Sequence, residues 1–269
     1  TFIFANGNKM KNEYLKIAIR AVQSSGKILI EYFERLHDFK QKNKNIRDLV
    51  TEVDVLSENN IKKIIEIDFP GHNINGEESG LIKKESKYCW HIDPIDGTVN
   101  YSQGIPLCVV SIGLEYRKEI ITGAIYNPFT EELFFASKGN GAFLNGKSIR
   151  VSNKTKVEDG LYVAAFSSDI GKSKKKEYDI YGNLNDRTRG VLRLGSAALA
   201  LAYLSCGRID GFWAKDLHPW DVAGGLALIN EAGGQVSSGK GKKYSLESRV
   251  LIASNSCIHG HLINNLTDL

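Results

Sequence analysis

The segment His91-Ile92-Asp93-Pro94-Ile95-Asp96-Gly97-Thr98 decides how the rest of the chain is read. An apolar run leads into a turn that carries two aspartates three residues apart. Pro94 fixes one φ angle and Gly97 frees another, so both carboxylates can face a common point. Hard divalent cations such as Mg²⁺ take oxygen ligands in octahedral geometry, and a few carboxylates plus a substrate phosphate are their usual supply. The peptide N–H groups of Gly97 and Thr98 could then cradle a phosphate beside the ions. Taken alone, Asp-Pro-x-Asp-Gly is equally a turn whose side chains satisfy their own backbone.

Working outward, three further acidic clusters stand at the ends of apolar runs: Asp48-Leu49-Val50-Thr51-Glu52-Val53-Asp54, Gly76-Glu77-Glu78-Ser79 and Trp220-Asp221. Carboxylates at strand ends can converge in space across long sequence separations. In isolation Asp54 and Asp221 each precede a helical pattern and read as N-caps, for which Asp is favoured. Glu77 and Glu78 alone read as a surface loop, and His91 and His218 as structural or exposed histidines. No G-x-S-x-G elbow, Walker A sequence or strand-borne G-x-G-x-x-G is present, and no cysteine stands in a catalytic setting. Acid clusters without an activated side-chain nucleophile point to metal-assisted attack by water.

The surroundings read as a layered α/β chain. Leu15, Ala18, Ile19, Val22, Leu29 and Phe33 recur at the spacing of a helix with one buried stripe. A lysine- and asparagine-rich loop, residues 40–47, leads to a second periodic segment through Ile61, Ile64 and Ile65, ended by Pro70-Gly71. Short apolar runs at 107–116, 120–126, 132–136, 142–144 and 148–151 predict an antiparallel meander. Strands at 161–166, 210–213 and 250–253 then alternate with helices at 196–205 and 221–232, the latter closed by Gly233-Gly234. The lysine run 172–176 reads as a solvated loop.

Composition excludes other classes. With 269 residues, 42% hydrophobic and 25% charged, the chain is far from disordered or fibrous proteins. A net charge of +4 falls short of the concentrated basic face that nucleic-acid binding requires. The longest apolar stretches, 107–114 and 197–204, are well below the ~20 residues of a membrane helix. Four scattered cysteines form neither a disulfide framework nor a zinc site, and read as buried free thiols in a reducing, cytoplasmic setting. No signal peptide opens the chain, and residues 1–9 read as a leader or upstream extension. Residues 10–269 read as one unit, with an α+β half at about 10–151 and an α/β half at about 152–269.

Taken in order, these clusters resemble the inositol monophosphatase family of Mg²⁺-dependent, lithium-sensitive phosphatases. The resemblance runs through the 48–54, 76–79 and 90–101 segments, Gly195-Ser196-Ala197-Ala198-Leu199, Trp220-Asp221-Val222-Ala223-Gly224-Gly225 and Glu231-Ala232-Gly233-Gly234. It implies the layered αβαβα sandwich of sugar phosphatases, a homodimer, and two or three Mg²⁺ per active site. It places metal ligands at Glu77, Asp93, the Ile95 carbonyl, Asp96 and Asp221. Thr98 and Asp54 fall where the family polarises the attacking water, Gly97 and Thr98 where it binds phosphate. Gly195, Ser196 and Ala197 fall on the substrate pocket, with Arg193 near a basic position of the same loop. One departure concerns the substrate: members preferring inositol phosphates usually carry a glutamate seven residues before the Trp-Asp aspartate, and here that position is Ala214. Fructose bisphosphate, histidinol phosphate and 3′-phosphoadenosine 5′-phosphate therefore stand beside inositol 1-phosphate as expected substrates. Some bacterial relatives also act as transcription accessory proteins on RNA polymerase, which keeps a binding role open.

Overall fold

The computed structural model describes residues 9–35, 46–166 and 172–266, with side chains described for 13–35, 50–166 and 175–266. The expected leader lies outside these residues apart from Lys9, where the first helix starts. Most of the expected 40–47 loop is likewise outside them, and its last two residues open the second helix.

Helices α1 (Lys9–Phe33) and α2 (Ile46–Asp68) form the first layer. Their stripes, including Ala18, Val22, Leu29, Val53, Ile61 and Ile65, are fully buried. They pack on an eight-stranded sheet of β1 (Asn73–Gly76), β2 (Gly80–Ile82), β3 (Tyr88–Asp96), β4 (Val109–Tyr116), β5 (Glu119–Asn127), β6 (Glu132–Ser137), β7 (Ala142–Leu144) and β8 (Lys147–Ile149). The strand order is β2-β1-β3-β4-β5-β6-β7-β8. Among the described residues of this sheet only β1 and β3 pair in parallel; from β3 to β8 the strands form the expected meander. A short helix, α3 (Thr98–Gln103), follows β3.

The second sheet comprises β9 (Tyr162–Ala165), β10 (Val191–Leu192), β11 (Gly211–Lys215), β12 (Gly234–Ser237) and β13 (Val250–Asn255), in the order β10-β9-β11-β13-β12. Helices α5 (Ala197–Ser205) and α6 (Pro219–Glu231) lie between the two sheets. Ala198, Leu199 and Leu228 pack on the first sheet, whereas Leu201, Val222 and Ile229 pack on the second. Both helices are thus apolar on opposite faces, as a helix buried on two sides must be. Helices α4 (Lys172–Arg187) and α7 (His259–Asn265) cover the outer face of the second sheet through Leu184 and Leu262. The layers run α, β, α, β, α, as the resemblance implies.

Several expectations are corrected. The 172–176 run is the start of α4, with Lys175 and Lys176 exposed and Glu177, Tyr181 and Leu184 on its inward side. Its few apolar anchors sit among polar residues, which hides the helical period. Asp54 is not an N-cap but lies within α2, and Asp221 is the third residue of α6, whose N-cap is His218. All four cysteines are free, but only Cys108 is fully buried and Cys257 is exposed. No helix among the described residues is long and apolar enough to cross a membrane.

The middle layer touches the first sheet backbone to backbone. A Cβ added at Gly113 on β4 would stand 2.4 Å from the Ala223 Cβ and 2.8 Å from the Gly224 nitrogen. One at Gly123 on β5 would stand 2.4 Å from the Gly224 carbonyl oxygen. Backbone cannot rotate away as a side chain can, so Gly113→Ala is expected to cost about 1–3 kcal/mol by overpacking. Gly182→Ala on α4 meets nothing within 4 Å and is expected to stabilise by up to about 1 kcal/mol through helix propensity. Urea denaturation of both variants checks the contrast.

Candidate active site

Strand β3 delivers the central carboxylates through a bulge. Its pairing with β4 shifts register between Asp93, opposite Ser111, and Asp96, opposite Val109. In a regular strand, residues three apart point to opposite faces. The extra residue on β3 reverses that parity and allows Asp93 and Asp96 to share a side. Pro94, which has no N–H to leave unpaired, occupies the bulge, and its carbonyl accepts from the Ser57 hydroxyl at 3.2 Å. Asp93 Oδ1 accepts from the Ile95 N–H at 3.1 Å, and the Ile95 carbonyl accepts from the Thr98 hydroxyl at 3.0 Å. Gly97 has φ +102, and a Cβ there would lie 2.8 Å from the Leu107 carbonyl oxygen, so the chain turns here as only glycine readily allows.

Other elements close on this turn. Strand β1 runs parallel to β3 with Gly76 beside Ile92, and the Glu77 N–H donates to the Ile92 carbonyl at 3.2 Å. This places the Glu77 carboxyl within hydrogen-bonding reach of Asp93. From the middle layer, the Ser196 hydroxyl and the Ala198 N–H donate to Asp96 Oδ2 at 2.7 and 2.5 Å. Asp221 Oδ2 accepts from the His218 N–H at 2.7 Å, which ties it to the first turn of α6. From the outer layer, Asp54 is buried and its Oδ1 has no hydrogen-bond partner.

Burial and mutual repulsion set the protonation of these groups. Asp54 is pushed up to about 8, first by burial and then by Glu77, Glu78 and Glu58. Burial likewise raises Glu77 to about 7, Asp96 to about 7 with Asp221 adding to the effect, and Asp221 to about 6. Asp93 is raised well above the ordinary carboxylate range by burial, then by Asp96, Glu77, Asp221 and Asp54. These carboxyls perturb one another, and a cation is what would relieve them. Among the described residues, no three His, Cys, Asp or Glu side chains are already arranged to hold a metal ion. The donors are all oxygen, and a buried carboxylate oxygen lacks a partner, which suits a hard divalent cation.

Beside Asp96 and Asp221 opens a cavity of about 220 Å³, lined also by Arg193, Gly195, Ser196 and Ala197. Its apolar wall includes Val163, Phe166, Phe212 and Leu217. Arg193 is exposed and lies over the Phe166 ring at 5.7 Å. Asn100 holds the loops together, donating to the carbonyls of Leu107 and Leu194 at 2.8 and 2.7 Å. Ala214 is buried on the β11 face toward α5 and α6, while Lys215 on the opposite face pairs with Glu177 of α4 at 3.4 Å. His91 is buried between Asn75 and Glu115, and the His218 ring stacks on Trp220.

Sequence reasoning missed Ser57, Phe166 and Glu58. Glu58 is buried and accepts from the Glu78 and Ser79 N–H groups at 2.9 and 3.0 Å. The signal was present, since Asp54, Glu58, Ile61 and Ile65 follow one helical stripe and charged residues in an apolar stripe require partners.

Comparison with known proteins agrees with the architecture. The sequence model of the Inositol monophosphatase family matches residues 10–269. The chain is 38% identical over 250 residues to an inositol-1-monophosphatase of Synechocystis sp., covering 93% of this chain and 87% of that protein. It is 38% identical over 247 residues to Nus factor SuhB of Pseudomonas aeruginosa, covering 90% and 91%. The solved structure of inositol monophosphatase from Anabaena (Nostoc) sp. superposes with a TM-score of 0.86 at 35% identity, covering 96% of each chain. By sequence along nearly its whole length and by fold, the chain belongs to the inositol monophosphatase family.

Proposed function

We propose that residues 10–269 act as one unit, a Mg²⁺-dependent phosphate monoester hydrolase for a small phosphorylated polyol such as inositol 1-phosphate. The observation that carries this reading is that carboxyls from α2, the β1–β2 turn, the β3 bulge and α6, each raised by burial, lie near enough to perturb one another, with Asp96 and Asp221 on the cavity wall. Glu77, Asp93, the Ile95 carbonyl, Asp96 and Asp221 would hold the ions. Bound there, Mg²⁺ would offset the phosphate charge, lower the pKa of the attacking water and stabilise the entering and leaving oxygens of an in-line displacement.

The chain's own groups supply positioning. Thr98 and Asp54 would orient the water: the Thr98 hydroxyl is held by the Ile95 carbonyl, and the free Oδ1 of buried Asp54 is an available acceptor. Gly97 and Thr98 would face the phosphate, and Gly195, Ser196 and Ala197 the rest of the substrate. Ser196 and Ala198 hold one oxygen of Asp96, which fixes the direction in which the other presents its charge. On the cavity wall Arg193 offers a cation, whereas Lys215 is engaged by Glu177 on the opposite face of the sheet. With alanine at 214, no carboxylate there bonds substrate hydroxyls. Substrates recognised chiefly by charge, including fructose 1,6-bisphosphate and 3′-phosphoadenosine 5′-phosphate, are accordingly the alternatives, with histidinol phosphate beside them. A homodimer in the cytoplasm completes the proposal.

A second reading, an accessory protein on RNA polymerase, is favoured by the similarity to a protein named Nus factor SuhB. Phosphate release with and without Mg²⁺ separates the two. Mg²⁺-dependent turnover supports the enzyme; no turnover on any phosphate monoester, together with tight polymerase binding, supports the accessory role.

Three outcomes are expected. Asp96→Asn keeps the shape but removes a charge from the ions, so kcat should fall about a thousandfold, roughly 4 kcal/mol; near-native turnover would remove Asp96 from the site. Li⁺ at concentrations comparable with Mg²⁺ should inhibit, and unchanged phosphate release would refute that point alone. Ala214→Glu should raise kcat/KM for inositol 1-phosphate over glycerol 2-phosphate by roughly tenfold, the worth of about one hydrogen bond to a charged group. A native enzyme already selective for inositol 1-phosphate, with no gain in the variant, would show that position 214 does not set specificity.

A further inference from the structure

We infer that Glu58 is a positioning residue that sets the affinity of the site for its divalent cation by clamping the turn that carries Glu77. The inference rests on the proposed metal role of Glu77 and adds a residue from outside the ligand set. Glu58 sits on α2 one helical turn after Asp54, fully within the protein at 1% exposure. Its two carboxylate oxygens divide their work: Oε2 accepts from the Glu78 N–H at 2.9 Å and Oε1 from the Ser79 N–H at 3.0 Å. Lys62, one turn further along α2, lies 3.3 Å from Oε1 and offsets the buried charge. The connection between β1 and β2 therefore has two consecutive peptide N–H groups fixed by a single side chain.

Gly76 completes the clamp. A Cβ at that position would lie 2.4 Å from Glu58 Oε2, 2.6 Å from its Cδ and 2.9 Å from Oε1. The glycine leaves the room in which the Glu58 carboxylate reaches the turn. On the other side, the Glu77 N–H is bonded to the Ile92 carbonyl. Glu77 is thus held from β3 through its own backbone and from α2 through the next two residues, while its carboxyl faces Asp93. Negative charge at Glu58 raises Asp54, Glu77 and Glu78, so its presence works against these groups electrostatically. Its contribution is geometric: it restricts Glu77 to the position from which it can share a cation with Asp93. Partners that orient metal ligands typically change metal affinity by about 10–100-fold when removed.

The test uses the full-length protein and two variants that break the same contact from opposite sides. Glu58→Gln keeps the shape but turns an amide NH₂ toward one of the two backbone donors; Gly76→Ala fills the space the carboxylate needs. Mg²⁺ binding by calorimetry should weaken about 10–100-fold in both, and the Mg²⁺ concentration for half-maximal phosphate release should rise in step, with kcat at saturating Mg²⁺ falling much less. Independently of activity, hydrogen exchange at the Glu78 and Ser79 amides should accelerate in Glu58→Gln while exchange in the core strands β4 and β5 is unchanged. Native Mg²⁺ affinity in a folded Glu58→Gln protein overturns the role of Glu58 and leaves the phosphatase reading standing. Absence of Mg²⁺ binding by the unmodified protein overturns both. A lower melting temperature in both variants, with Mg²⁺ affinity unchanged, would mean that the clamp serves stability only, and also overturns the inference.

Discussion

Carboxyls buried within reach of one another's charge organise this molecule. Asp54, Glu77, Asp93, Asp96 and Asp221 are each raised by burial, and the neighbours that raise them further are carboxyls. Such an arrangement opposes folding unless protons or cations offset it, and the fold meets that cost with packing around the cluster. The β3 bulge belongs to the first sheet, which packs against the two N-terminal helices and against a middle layer whose helices are apolar on two faces. Helix α2 brings Asp54 and Glu58 to the cluster on the same stripe that buries Ile61 and Ile65.

The two ends of the site are built differently. The acidic end rests on α2, the turn between β1 and β2, the β3 bulge and the first turn of α6, where hydrogen bonds such as that from Ser196 to Asp96 fix direction. The other end is made of connections: Phe166 follows β9, Arg193 and Gly195 precede α5, and Leu217 precedes α6. Loop positions tolerate change at less cost than core positions. In the proposed reading the groups that hold the ions sit mostly within or against the layers, whereas much of the remaining cavity wall sits on the segments that join them.

Much of this was legible in the residues. The Asp93–Thr98 turn, with proline and glycine where the backbone demands them, announced itself, and alternation of apolar runs gave the meander and the later helices. What escaped detection has physical causes. The parity change at the bulge depends on pairing with Val109 and Ser111, which local periodicity does not contain. Asp54 resembled a cap because polar residues precede the apolar stripe, although α2 begins at Ile46. Helix α4 was obscured because its covered side needs few anchors and its N-terminal lysines dominate the pattern. Glu58 became meaningful only when the turn after β1 was seen to lie against α2.

The doubly apolar middle layer also constrains how the molecule comes into being. Neither α5 nor α6 can bury both faces until both sheets exist, and the contact from Ser196 to Asp96 joins residues 100 positions apart. Distant pairings of this kind make the search slow and concentrate it late. The acidic cluster is consequently complete only once the two sheets have docked. A nascent chain carrying only the first sheet exposes the surface meant for α5 and α6, and it has neither Asp221 nor the groups that steady Asp96.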